Sequence, residues 1–170
     1  MSISMYQASV PQFLQMLASL SAILDKAAAH AAARKIDASV FLSARLYPDM
    51  FPFVRQVQVA ADFAKNTSGR LAGVELPKFP DTETSFDELK ARIAKTVAFL
   101  RSLKPQAIDG SEGKEITFPV AGQPMTLKGQ PYLVDFALPN FYFHLTAAYA
   151  ILRHNGVELG KKDFVSALQR

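Results

Sequence analysis

Asn140 and His144 stand four residues apart in the segment Leu138-Pro-Asn-Phe-Tyr-Phe-His, a spacing that puts both on one helix face, one turn apart. Their neighbours on that helix include Phe141, Ala148, Ile151 and Leu152, so a carboxamide and an imidazole share a largely apolar surface. An imidazole in such a place has two readings. It is a core histidine satisfied by a hydrogen bond, or it is a metal ligand or general acid/base in a bundle cavity, where facing helices commonly build such sites. On an earlier helix Gln56 is the polar residue best placed to face inward, with Asp49 seven residues before it on the same face. Asp62, in helical spacing with Arg55, Gln58 and Lys65, reads as an ion-pair member.

Other catalytic patterns find no footing. The chain has no cysteine, which excludes disulfides, thiolate metal sites and cysteine nucleophiles. It has no Gly-rich phosphate loop, no nucleophile elbow and no HExxH. Of its 3 histidines only His144 has a promising setting; His30, in an alanine-rich stretch, reads as exposed. A Ser-His-Asp triad therefore has little support.

Long helices must hold these residues in place. Val10, Phe13, Leu14, Leu17, Leu20 and Leu24 recur at three- and four-residue spacing, which predicts a first helix from Ser9 to Ala33 with Pro11 in its first turn. Its alanine-rich end, Ala27 to Ala33, either projects past the core or lets a neighbour approach closely. Asp37 and Ser39 suit the cap of a short element, and Pro48 marks a break. Phe53, Val54, Val57, Ala60, Ala61 and Ala64 predict a second long helix that ends between Ser68 and Gly73. Ser85 and Glu88 have capping-box spacing and open a third, Phe86 to Leu103. Its inward stripe is Leu89, Ile93, Thr96, Val97 and Leu100, while Lys90, Arg92, Lys95 and Arg101 face solvent. Alternation at Ile116, Phe118 and Val120, a turn at Ala121-Gly-Gln-Pro, and renewed alternation at Met125 and Leu127 predict a β-hairpin whose apolar face must lie on the helices. Pro139 introduces the last long helix, Asn140 to about Asn155, with Gly156 as its stop, and Lys162 to Leu168 suit a short tail helix. No repeat or long linker divides the chain, so residues 1–170 read as one domain.

Composition narrows the function classes. Hydrophobic residues make up 49% of the chain and charged ones 20%, the profile of a protein with a packed core. The net charge is +4, yet no basic run is longer than a pair, which argues against a nucleic-acid interface. No segment reaches the roughly 18 uninterrupted apolar residues of a membrane span. Met1 to Gln7 lack the basic region and apolar run of a secretory signal, so a cytoplasmic location is expected.

The segments Arg45-Leu-Tyr-Pro-Asp-Met, Gln56-Val-Gln-Val-Ala-Ala-Asp, Leu138-Pro-Asn-Phe-Tyr-Phe-His and Tyr149-Ala-Ile-Leu-Arg-His-Asn-Gly-Val resemble an uncharacterised bacterial family within the DinB-like superfamily of metalloenzymes. The resemblance covers nearly the whole chain. It implies a mainly α fold, an up-and-down four-helix bundle with a long crossover, often dimeric; the hairpin would be a small insertion before the last long helix. In metal-binding members of the superfamily a histidine on the second helix and an HxxxH pair on the last helix hold a divalent metal. By that resemblance His144 falls on the second histidine of the pair, Asn140 on the first and Gln56 on the helix-two position. Carboxamides are weak neutral ligands, so a zinc- or nickel-type site keeps His144 as a ligand while Asn140 and Gln56 disfavour it.

Two functions follow as expectations. One is a small-molecule-binding bundle with Gln56, Asn140, His144 and Asp49 lining a polar pocket between helices two and four, at most a divergent thiol- or metal-dependent transferase. The other is a non-catalytic homodimeric or interaction protein that kept the bundle and lost the metal site; the aromatic segment Phe136 to Tyr149 would then cover an interface.

Overall fold

The structure, a computed structural model, describes residues 3–165. Four long helices form the bundle: α1 (Met5–Arg34), α3 (Phe53–Ala72), α4 (Phe86–Ser102) and α7 (Leu138–His154). Shorter elements fill the connections: α2 (Ala38–Ser43), α5 (Pro105–Ile108), the strands β1 (Glu115–Val120) and β2 (Gln123–Lys128), α6 (Gly129–Pro131), and α8 (Lys161–Val165) after the bundle. The last residues of the expected tail helix, up to Leu168, lie outside the described residues. α3 packs chiefly on α7 and α4, and α1 closes the bundle against α4. The mainly helical bundle with one small hairpin is thus the fold that the residue pattern implied.

The core is built from the stripes that periodicity marks. Phe13, Leu17 and Leu24 of α1, Phe53, Val57 and Ala64 of α3, Leu89 and Leu100 of α4, and Phe141, Ala148 and Ile151 of α7 are fully buried. Ala27 and Ala31 are buried too, so the alanine-rich end of α1 is partly covered, and His30 above it is half-buried with its ring edge-on to Phe41 at 5.8 Å.

Three local features differ from the sequence expectation. First, α1 starts at Met5 rather than Ser9, because Ser4 and Gln7 form a reciprocal capping box. Pro11 consequently sits inside the helix, on its exposed side. Second, Arg92 is not solvated: it is 2% exposed. Its guanidinium reaches Asp62 and Asp81 at 3.0 and 2.9 Å through one nitrogen, and Glu83 at 3.0 Å through the other. Burial works against its charge, but these three carboxylates outweigh that and raise its pKa. Asp62 also pairs with Lys65 at 2.9 Å, and Asp81 with Arg55, so the acidic connection before α4 is strapped to α3 and α4.

Third, the last helix has a lead-in. Between α6 and α7 the backbone winds as a π segment, Tyr132–Ala137. At its end the Leu138 N–H donates to the Leu133 carbonyl, five residues back. Two local features mark its end: Pro139 has no N–H to donate, and the side-chain amide of Asn140 donates to the Phe136 carbonyl at 2.7 Å. The hairpin precedes this segment. Ala121 and Gly122 both take positive φ, 49° and 80°, the two-residue turn whose twist suits a hairpin. Ile116 and Phe118 of β1 point inward at 3% exposure each, while Met125, opposite Phe118 in the register, lies at the rim.

Candidate functional site

Gln56 and His144 meet in the structure. Both are buried, one on α3 and the other on α7, and Nδ1 of His144 lies 2.7 Å from Oε1 of Gln56. The amide nitrogen of Gln56 donates to the Phe51 carbonyl at 3.1 Å, which leaves its oxygen as the acceptor. The Nδ1–H of His144 is therefore the donor, and the ring's remaining lone pair is on Nε2. Phe51 and Phe63 stack against the imidazole, with centroids at 6.4 and 5.9 Å. Burial, with the positive charge of Arg55 as a lesser cause, pushes the His144 pKa down to about 4. At neutral pH the ring is uncharged. The arrangement ties α7, α3 and the loop before α3 together, and it matches the hydrogen-bonded core histidine of the first reading.

The other two expected residues stand apart. Asn140 is half-buried and spends its amide on the Phe136 carbonyl of the π segment just before its helix. Asp49 is exposed in the turn between α2 and α3. A three-ligand metal centre does not fit this donor set. The Gln56 oxygen and the His144 Nδ1 satisfy each other, which leaves one imidazole nitrogen and no carboxylate beside it. Among the described residues no three His, Cys, Asp or Glu side chains are grouped so as to hold an ion.

A cleft of about 190 Å³ opens on the other side of Phe63, and neither His144 nor Gln56 lines it. Its floor is one face of α3: Arg55, Val59, Asp62, Phe63, Asn66 and Arg70 follow each other at three-, four- and one-residue steps. Its walls are Phe118 and Pro119 of β1 and Phe136 of the π segment. The rings form a chain. Phe118 lies 4.7 Å from both Tyr132 and Phe136, Phe136 lies 5.8 Å from Phe63, and Phe63 stacks on His144. Arg70 is held over the Phe118 ring at 5.8 Å and donates to the Tyr132 hydroxyl at 3.0 Å.

Sequence reasoning missed this cleft. The stripe from Arg55 to Arg70 is visible in the sequence, but it reads as the solvated side of a helix until the hairpin and the π segment are known to fold over it. The aromatic run from Phe136 onward was the available signal.

Comparison with known proteins agrees with this architecture. A family model described as a domain of unknown function, DUF1993, matches residues 5–165. Among solved structures, the chain is similar to a DinB family member protein from Shewanella denitrificans, with 42% identity, a TM-score of 0.88, and coverage of 97% of this chain and 93% of that one. No curated protein matches the chain. No helix among the described residues is long and apolar enough to cross a membrane. A match that spans all four bundle helices, the hairpin and the π segment leaves one conclusion: the chain belongs to the DUF1993 family of DinB-like helical bundles.

Proposed function

We propose that this chain is a small-molecule-binding bundle that works without a metal, and that its pocket is the cleft between α3, β1 and the π segment. The reading keeps α3 as one wall but moves the pocket from the expected place between the second and last bundle helices, at Gln56 and His144, to the far side of Phe63, where no α7 residue lines it. One observation carries it: Arg70 projects into an aromatic-walled cleft with a phenol hydroxyl as its side-chain partner and, among the described residues, no carboxylate. A concavity walled by aromatic rings with a few fixed polar groups is the ordinary form of a ligand site. The π segment that supplies Phe136 adds weight, because π turns inside helices are frequent at functional sites. The test is a titration of isotope-labelled protein with aromatic fragments, read by NMR. Saturable shifts should gather on Asn66, Arg70, Phe118 and Phe136. An absence of saturable shifts there at millimolar fragment would overturn the reading.

A separate observation favours a second reading, assembly as a homodimer. Leu46, Met50, Tyr142, Phe143, Thr146, Ala147 and Ala150 line an apolar groove of about 390 Å³, and Phe143 and Tyr47 are 57% and 66% exposed. Exposed aromatics around an apolar groove are typical of protein interfaces. Sedimentation equilibrium should find a dimer that Phe143→Glu dissociates; a wild-type monomer at high concentration would remove this reading.

A further inference from the structure

We infer that the cleft is built for a planar aromatic monocarboxylate, its carboxylate on the Arg70 guanidinium and the Asn66 amide, its ring among Phe63, Phe118 and Phe136. This rests on the cleft being a ligand site at all, as argued above.

Charge selects the monoanion. The other two charged residues that line the cleft are already matched: Arg55 pairs with Asp81, and Asp62 pairs with Lys65 and Arg92. Arg70 is the one lining cation that lacks a carboxylate among the described residues. Nor is it needed to neutralise the C-terminus of α3, because the Lys114 ammonium donates to the Arg70 and Leu71 carbonyls, each at 3.2 Å. One uncompensated positive charge suits one negative charge; a phosphate dianion would leave an excess.

Geometry selects the carboxylate and the ring. The guanidinium is planar and presents paired N–H groups that match the two oxygens of a carboxylate. It is pre-set, because one nitrogen is anchored to the buried Tyr132 hydroxyl and its central carbon lies over the Phe118 ring. Asn66 stands one turn before Arg70 on the same face of α3 and lines the same cleft, so its amide can donate to the same anion. Phe63, Phe118 and Phe136 leave ring faces and edges to receive an aromatic group.

The probes are 2-naphthoate, 2-naphthamide and 2-naphthylmethylamine, which share one ring system and differ in charge, measured by calorimetric or NMR titration of the full chain. Naphthoate should bind about tenfold or more tighter than the amide, as a charge-assisted pair requires, and the amine should bind weakest. Arg70→Gln should erase the advantage of naphthoate over naphthamide. Asn66→Ala should reduce that advantage in part, and it serves as the second variant if Arg70→Gln melts early. If all three probes bind equally, or if Arg70→Gln keeps the naphthoate preference, this inference is overturned while the cleft reading stands. If none of them binds, both fall.

Discussion

Nδ1 of His144 and Oε1 of Gln56 are 2.7 Å apart in a buried setting, 88 residues apart in the chain, and each of these two atoms is satisfied by the other. Cutting either end strands a polar group. His144→Ala or Gln56→Ala should cost roughly 2 to 4 kcal/mol, from an unpaired buried group plus lost packing against the flanking rings. In a double-mutant cycle followed by urea unfolding the pair should couple by about 1 kcal/mol. Additive losses would mean that the two side chains act independently.

The same pair makes stability depend on pH with a definite sign. Folding lowers the His144 pKa from 6.5 to about 4, so between those values the unfolded chain binds more protons. Stability should therefore be full above about pH 6.5 and should fall as pH drops toward 4, by an amount of order 3 kcal/mol at most. His144→Phe should flatten that part of the pH profile. Unfolding free energies that decline equally in wild type and variant would assign the acid loss to the carboxylates instead.

Arg92 is the second buried polar anchor. Arg92→Met removes a cation held by Asp62, Asp81 and Glu83. Because these carboxylates are partly exposed, the loss should fall near 2 kcal/mol, below the range for a sealed pair. Hydrogen exchange should accelerate in the connection from Val74 to Thr84 before it does in the bundle. Unchanged protection there would show that the strap is held by other contacts.

Addition of zinc or nickel should leave the melting temperature where it was, since a ligand stabilises only by its affinity for the native state and one free imidazole nitrogen offers little. Elemental analysis of protein purified without chelator gives the independent check. Stoichiometric metal that vanishes in His144→Ala would contradict the donor-set argument.

Much of this molecule is legible in its sequence because the information is local. The stripes of α1, α3, α4 and α7, the Ser85–Glu88 cap and the Ala121–Gly122 turn each depend on residues a few positions apart. Gln56 and His144 could be singled out for the same reason, as polar residues on apolar faces. What was hidden depends on distant partners. Arg92 lies among Lys90, Lys95 and Arg101, and nothing in that segment says that carboxylates from α3 and the loop before α4 will close over it. Arg70 looks like any basic residue near the end of a helix until Tyr132, 62 residues later, receives its proton donor. Pro11 inside α1 was misplaced because the Ser4–Gln7 box lies before the apolar repeat begins.

The π segment has an evolutionary corollary. A π turn holds one residue more than an α turn, so the rod from Gly129 to His154 is equivalent to a regular helix that has absorbed a single insertion. The widened turn takes up that residue, so both flanks keep the faces they would have in a regular helix. Loss of one codon at the exposed Val134 would restore regular winding, leave the flanks in register and take away the widened turn from which Phe136 enters the cleft. The bundle core downstream would keep its register. Ligand preference and bundle stability are thus separable in sequence change, and a relative lacking that one residue would be expected to share the scaffold with a differently shaped wall at Phe136.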